Sequence, residues 1–222
     1  MLVKFFNDPE KLKNLFFLLL EGLGVSGQIF FLTLLLSVPL GIIVAVGRMS
    51  KRWYVNKPLS AYIYVMRGTP LMLQLMFIYY LMPMVLPFKL DRFGAVILSF
   101  TINYAAYFAE IFRGGIQSIP NGQREAAQVL GMTKVQTFFR IILPQTAKRV
   151  ILPVTNEVIT LIKDTALASV VGVVDLMTMS RKQVTSSSSV EPYLVAIVIY
   201  LVVNGVVEQL CKLVERRMNY YQ

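Results

Sequence analysis

Residues 125–144 read EAAQVLGMTKVQTFFRIILP and form the longest polar-containing interval between two apolar runs of the chain. Glu125, Ala126 and Ala127 are followed after three residues by Gly131, and after nine more by Ile141, Leu143 and Pro144. The pattern predicts a short amphipathic helix, a glycine stop, and a second helix ended by proline. Such an element hangs out of a membrane domain and docks a partner.

The composition supports the membrane setting. Of 222 residues, 56% are hydrophobic and 15% charged. Soluble domains carry about 25% charged residues. The 22 basic and 12 acidic residues give a net charge of +10. The basic residues flank apolar runs and form no separate face, which fits retention on the cytoplasmic side and gives no support for nucleic-acid binding. There is no histidine, hence none of the commonest metal ligand. The single Cys211 excludes an intrachain disulfide and any multi-cysteine metal site. The first polar segment runs into an apolar stretch too long for a signal peptide, so no cleavable leader is expected.

Apolar runs on either side of the opening interval divide the chain. Residues 1–20 are mixed, and Asp8-Pro9-Glu10 resembles a helix cap that starts an interfacial helix. The first span covers roughly residues 22–46 and carries the small and mildly polar residues of a packed bundle. RMSKRWYVNK (48–57) is basic and marks the cytoplasmic side. A second span near residues 58–82 holds Arg67 about a third of the way across. A third runs from about 93 to 116 and is polar and aromatic in its second half, with Tyr104, Tyr107 and Glu110. The fourth run, 147–174, carries Asn156, Glu157, Thr160, Lys163, Asp164 and Thr165. Residues 175–191 read as an outer connection made flexible by SSSS, before a last span near 192–210. The reading is an all-α membrane protein of about five transmembrane helices, N-terminus outside and C-terminus inside.

No G-x-x-x-x-G-K-[ST] loop, G-x-S-x-G elbow or H-E-x-x-H motif occurs, so no catalytic site is expected. The chemistry lies in the fourth run. Glu157 and Asp164 are separated by about 700° of helix rotation, about 20° short of two whole turns, and by about 10.5 Å along the axis. Thr160 lies between them on nearly the same face. A charge at the bilayer centre costs about 2.5–3.5 kcal/mol or more, so this stripe faces a bundle interior or an aqueous cavity. Two readings fit. Either Arg67 or Lys163 neutralises the acids internally, or the stripe binds a positively charged group. Arg67 itself either snorkels to the interface or meets a carboxylate, and Gly68 and Pro70 weaken the helix beside it.

Glu125-Ala126-Ala127, Gly131 and Ile141-x-Leu143-Pro144 match the E-A-A-x3-G-x9-I-x-L-P loop of binding-protein-dependent ABC importer permeases at each position. Arg67-Gly68-Thr69-Pro70 with Gln74, the FRGGIQSIPNGQ lead-in, and Lys163-Asp164-Thr165-Ala166-Leu167 are similar to the polar amino-acid branch of that family. The resemblance implies a type I importer permease domain over residues 21–217, with a coupling loop at 118–145, an interfacial segment before it and a short tail at 218–222. It implies a dimer with a second copy or a sister permease, two ATP-binding cassette subunits docked on the coupling loops, and an external solute-binding protein. ATP and magnesium would sit on the partner ATPase, and no cofactor on this chain. The location implied is the bacterial inner membrane. Glu157 and Asp164 look like the acids that hold the α-amino or cationic end of a basic amino acid. Thr160, Arg67, Thr69 and Gln74 are further candidates for lining the path. Glutamine or cystine is the alternative substrate, and a transporter not coupled to ATP is the competing class.

Overall fold

The computed structural model describes residues 5, 8–85 and 89–218, all of its regular structure being helical. The chain ends 1–4 and 219–222, which take in most of the expected tail, lie outside the described residues, as do 6–7 and 86–88.

Helix α1 spans Pro9–Arg48. Asp8 caps it, its carboxylate accepting from the N–H groups of Glu10 and Lys11 at 3.2 and 3.3 Å. The cap falls where the sequence placed it, but the helix then continues for 40 residues. At 1.5 Å per residue that is about 60 Å, twice the hydrocarbon thickness. The interfacial segment and the first span are therefore one rod with no turn near residue 21.

The second span is broken. Helix α2 (Trp53–Gly68) ends at Thr69-Pro70, and α3 (Leu71–Met76) leaves with a bend of 109° before passing through a π-turn, Phe77–Leu81, into α4 (Met82–Val85). Proline forces its predecessor out of the helical region, and Thr69 is extended at ψ 149°.

Helix α5 (Arg92–Gln117) is the central helix and packs most extensively on α1. Small residues allow this: a Cβ on Gly41 would lie 2.8 Å from the Phe108 Cβ, so the two backbones meet there. Around this seam a core forms from Ile29, Phe100, Tyr104, Phe108 and Leu161.

After α5 come α6 (Asn121–Val129) and α7 (Lys134–Thr137). The predicted proline stop is not a stop. A π-turn at Phe138–Ile142 leads directly into α8 (Leu143–Asp164), with Pro144 in its first turn. The Leu143 N–H bonds the Phe138 carbonyl five residues back. The Met82 N–H bonds the Phe77 carbonyl in the same way, just before Pro83. Proline has no N–H and its ring clashes with the carbonyl four residues earlier. Widening the preceding turn relieves both, so each helix continues past its proline.

Helix α8 passes into a 3-10 segment, Thr165–Val171, closed by Gly172 at φ 77°. The expected flexible connection is instead largely helix α9 (Leu176–Ser187), capped by the Asp175 carboxylate, which accepts from the Thr178 N–H at 2.9 Å. A serine run is permissive of helix when an N-cap and packing against α1 and α10 hold its start. Helix α10 (Glu191–Met218) completes the bundle. Among the described residues, three helices are long and apolar enough to cross a membrane, α1, α5 and α10, and the bent pair 53–68 and 71–85 makes a fourth as a broken span. Phe31, Leu35, Ile43 and Leu201 are each exposed, as lipid-facing positions are.

Candidate functional site

Helix α8 carries the two acids. Glu157 and Asp164 are both half-buried, and among the described residues neither has an ion-pair partner within 4.0 Å. The internal salt bridge to Arg67 or Lys163 is thus not formed. The acids have different surroundings. The Tyr104 hydroxyl, buried on α5, donates to Asp164 Oδ2 at 2.7 Å. Glu157 opens on a cavity of about 480 Å³ walled by Arg67, Tyr107, Glu110, Arg149 and the glycines Gly114 and Gly115. Asp164 and Thr160 do not line that cavity. The single stripe expected on α8 is divided between an open chamber and a buried hydroxyl.

A second cavity, about 720 Å³, adjoins the first. It lies against α2 and is lined by Arg48, Ser60, Tyr64 and Gly68. Arg67, Tyr107 and Glu110 line both chambers and form the wall between them. Glu110 is the centre of that wall. Arg113 grips it with two bonds, Nε to Oε1 at 2.9 Å and Nη2 to Oε2 at 2.6 Å. Arg67 Nη1 stands 3.8 Å from the same Oε2. The Arg67 guanidinium lies over the Tyr107 ring, 5.3 Å from its centroid. Arg67 therefore meets a carboxylate, but on α5 and not on α8. Sequence reasoning missed Glu110 and Arg113. Their signal was the three-residue spacing of Glu110 and Arg113 in EIFR, which places both on one face of a helix.

Thr69 and Gln74 occupy the helix break. The Thr69 hydroxyl donates to the Val65 carbonyl at 2.8 Å, and Gln74 Nε2 donates to the Met66 carbonyl at 2.9 Å and to Thr69 Oγ1 at 2.8 Å. Asn103 Nδ2 donates to the Met66 carbonyl at 3.0 Å and to Gln74 Oε1 at 2.9 Å. These bonds replace the helical bonds that Pro70 interrupts. Thr69 and Gln74 line neither of these chambers, but a separate apolar groove with Val65, Leu73 and Phe77.

The 125–144 loop is a stiff helix–turn–helix. Gly131 adopts φ 70°, the Met132 N–H donates to the Ala127 carbonyl at 3.0 Å, and the Gly131 N–H to the Gln128 carbonyl at 2.9 Å. This is a Schellman closure. Two residues later Thr133 begins α7 with a capping box, its hydroxyl accepting from the Gln136 N–H while its own N–H donates to Gln136 Oε1. Ala127 is fully buried against the chain, whereas Glu125 and Ala126 are exposed. Val129, Leu130, Val135 and Phe139 are exposed as well, at 87%, 77%, 65% and 61%. Ile141 is half-buried, and Leu143 and Pro144 are exposed. Val129, Leu130, Val135 and Phe139 thus stand as four exposed apolar side chains on the loop. Among the described residues, no cluster of His, Cys, Asp or Glu can hold a metal ion.

Residues 37–220 match the family model described as binding-protein-dependent transport system inner membrane component. The octopine transport system permease protein of Rhizobium radiobacter is 35% identical over 217 residues, 94% of this chain and 89% of that protein. The arginine transport system permease protein of Bacillus subtilis is 34% identical, over 90% of this chain and 92% of its own. The glutamine transport system permease protein of Escherichia coli is 34% identical, over 90% and 93%. A crystal structure of an amino acid ABC transporter with histidines superposes with TM-score 0.88 at 34% identity, covering 98% of this chain and all of that one. An inward-facing methionine ABC transporter, at TM-score 0.70 and 18% identity, shares the fold. By the family match over residues 37–220 and by these relatives, the chain belongs to the family of inner-membrane components of binding-protein-dependent ABC transport systems.

Proposed function

We propose that the chain is the membrane permease of an ATP-driven amino-acid importer with a preference for basic substrates. The observation that carries the reading is Glu157, a carboxylate within the bundle that has no ion-pair partner among the described residues and opens on a chamber of about 480 Å³. Ionisable groups within a membrane bundle mark substrate pathways. Relatives named for arginine, octopine and glutamine transport favour an amino-acid substrate. Glu157 would hold a cationic group of the substrate in that chamber, and Asp164, which lies outside its lining and accepts from Tyr104, would be a second acid elsewhere on the path.

The chain itself supplies no catalytic group. An ATP-binding cassette subunit docks on the exposed face of Glu125, Ala126, Val129 and Leu130, two such subunits serving a dimer of permeases. A solute-binding protein delivers substrate from the other side. Helix α8 serves as the fifth span, too polar to face lipid and therefore lining the path, with the N-terminus outside and the loop in the cytoplasm of a bacterial cell. Helical structure running from Lys134 through Pro144 to Asp164 makes the loop a lever on the substrate-holding helix.

Reconstitution tests this. Proteoliposomes holding the permease, its ATPase and its binding protein should accumulate arginine only with ATP inside the ATPase-accessible compartment. Accumulation without ATP or without the ATPase subunit contradicts the assignment.

A further inference from the structure

The wall between the two chambers has the composition of a cation site, and it is occupied by a side chain of the protein itself. Arg67 presents a guanidinium group to Glu110 Oε2 at 3.8 Å on one side and to the Tyr107 ring at 5.3 Å on the other. A carboxylate beside an aromatic face is the chemistry that holds guanidinium and ammonium groups. We propose that Glu110 and Tyr107 form a second, weak cation subsite, and that the cationic side chain of a basic amino acid displaces Arg67 from it when passing between the chambers. The proposal rests on the reading that the Glu157 chamber is part of the substrate path.

Three observations support displacement. Arg67 is held loosely: its ion pair is long and its side chain is 45% exposed, whereas Arg113 holds Glu110 through two bonds of 2.9 and 2.6 Å. Glu110 keeps its geometry when Arg67 leaves, because Arg113 is itself braced by donating to Gln117 Oε1 at 2.5 Å. Arg67 also has somewhere to go. It precedes the break at Gly68, Thr69 and Pro70, and its side chain already reaches the surface. Because Arg113 has already neutralised most of the Glu110 charge, the subsite is weak, as release from a transit site requires.

The subsite explains why Arg67, Tyr107 and Glu110 each border both chambers. Moving from Glu157, a cationic side chain meets Glu110 as the next carboxylate. A neutral side chain gains nothing there, so the subsite discriminates by charge.

Equilibrium binding of arginine and of glutamine to the whole transporter complex in nanodiscs tests the proposal. Arg67→Ala should tighten arginine binding about fivefold, the scale of one cation–π contact released from competition, and leave glutamine binding unchanged. Adding Glu110→Gln to Arg67→Ala should return arginine binding to its original value. An equal change for arginine and glutamine in Arg67→Ala, or a gain that survives Glu110→Gln, overturns the subsite. Thermal melts of the complexes separate misfolding from loss of a site, and Arg67→Gln provides a bulk-conserving second variant with the same expected result. Glu157→Gln in the same assay tests the parent reading separately: unchanged arginine binding there removes the path through Glu157, while the charge dependence of Arg67→Ala still decides the subsite.

Discussion

Tyr104 of α5 donates its hydroxyl proton to Asp164 Oδ2 at 2.7 Å, joining the central helix to the last residue of α8. Burying a carboxylate costs free energy unless it is hydrogen-bonded. The tyrosine offsets that cost at one of the two carboxylate oxygens. Hydrogen bonds to a charged group contribute about 1.5–3 kcal/mol, so Tyr104→Phe should raise the half-saturation concentration for arginine uptake about tenfold. The effect should vanish in an Asp164→Asn background. A rise of the same size in both backgrounds would assign Tyr104 to packing alone.

Gly131 lies in the left-handed region at φ 70°, and no atom stands within 4 Å of its virtual Cβ. A substitution there acts through backbone strain, about 1–2 kcal/mol for most residues and less for asparagine. Gly131→Val should abolish stimulation of the partner ATPase in the reconstituted complex, and Gly131→Asn should keep most of it. Comparable stimulation in both variants would contradict a role for the Schellman closure in coupling.

A Cβ on Gly22 would lie 2.9 Å from the backbone of Asp175 and Leu176, whereas one on Gly24 meets nothing within 4 Å. Overpacking at the first site costs about 1–3 kcal/mol. Gly22→Ala should lower the melting temperature of the purified permease, and Gly24→Ala should not. Equal melting temperatures would contradict the close contact of α1 with the start of α9.

Gln74 bonds the Met66 carbonyl, Thr69 and Asn103 at the helix break and borders neither of the two chambers. Gln74→Leu should lower stability by about 1 kcal/mol, measured by thermal unfolding, because it removes bonds that tie the two sides of the break together, while Asn103 keeps its bond to the Met66 carbonyl. The ratio of arginine to glutamine uptake by the surviving protein should stay constant. A change in that ratio would return Gln74 to the substrate path.

How much of this was legible in the residues varies with the range of the interaction. The third span, read as residues 93–116, is α5 within one residue at each end, because its apolar run is bounded by local signals at Asp91 and Ser118. The glycine closure at residue 131 was equally local. Pro144 misled because a proline reads as a stop, whereas a single wide turn before it lets the helix continue. The serine run misled in the opposite direction, since tertiary packing and the Asp175 cap outweighed weak helix propensity. The division of Glu157 from Asp164, and the engagement of Arg67 with Glu110, depend on which helices become neighbours. No periodicity within one helix reports that.

Glu157→Gln tests the central claim most directly. Initial rates of ATP-dependent uptake of arginine and glutamine should be compared in proteoliposomes holding the complete transporter. Arginine uptake should fall at least tenfold, the loss expected when a buried cation loses its carboxylate, while glutamine uptake should change by less than about twofold. An equal fall for both amino acids would contradict that claim and leave Glu157 as scaffolding.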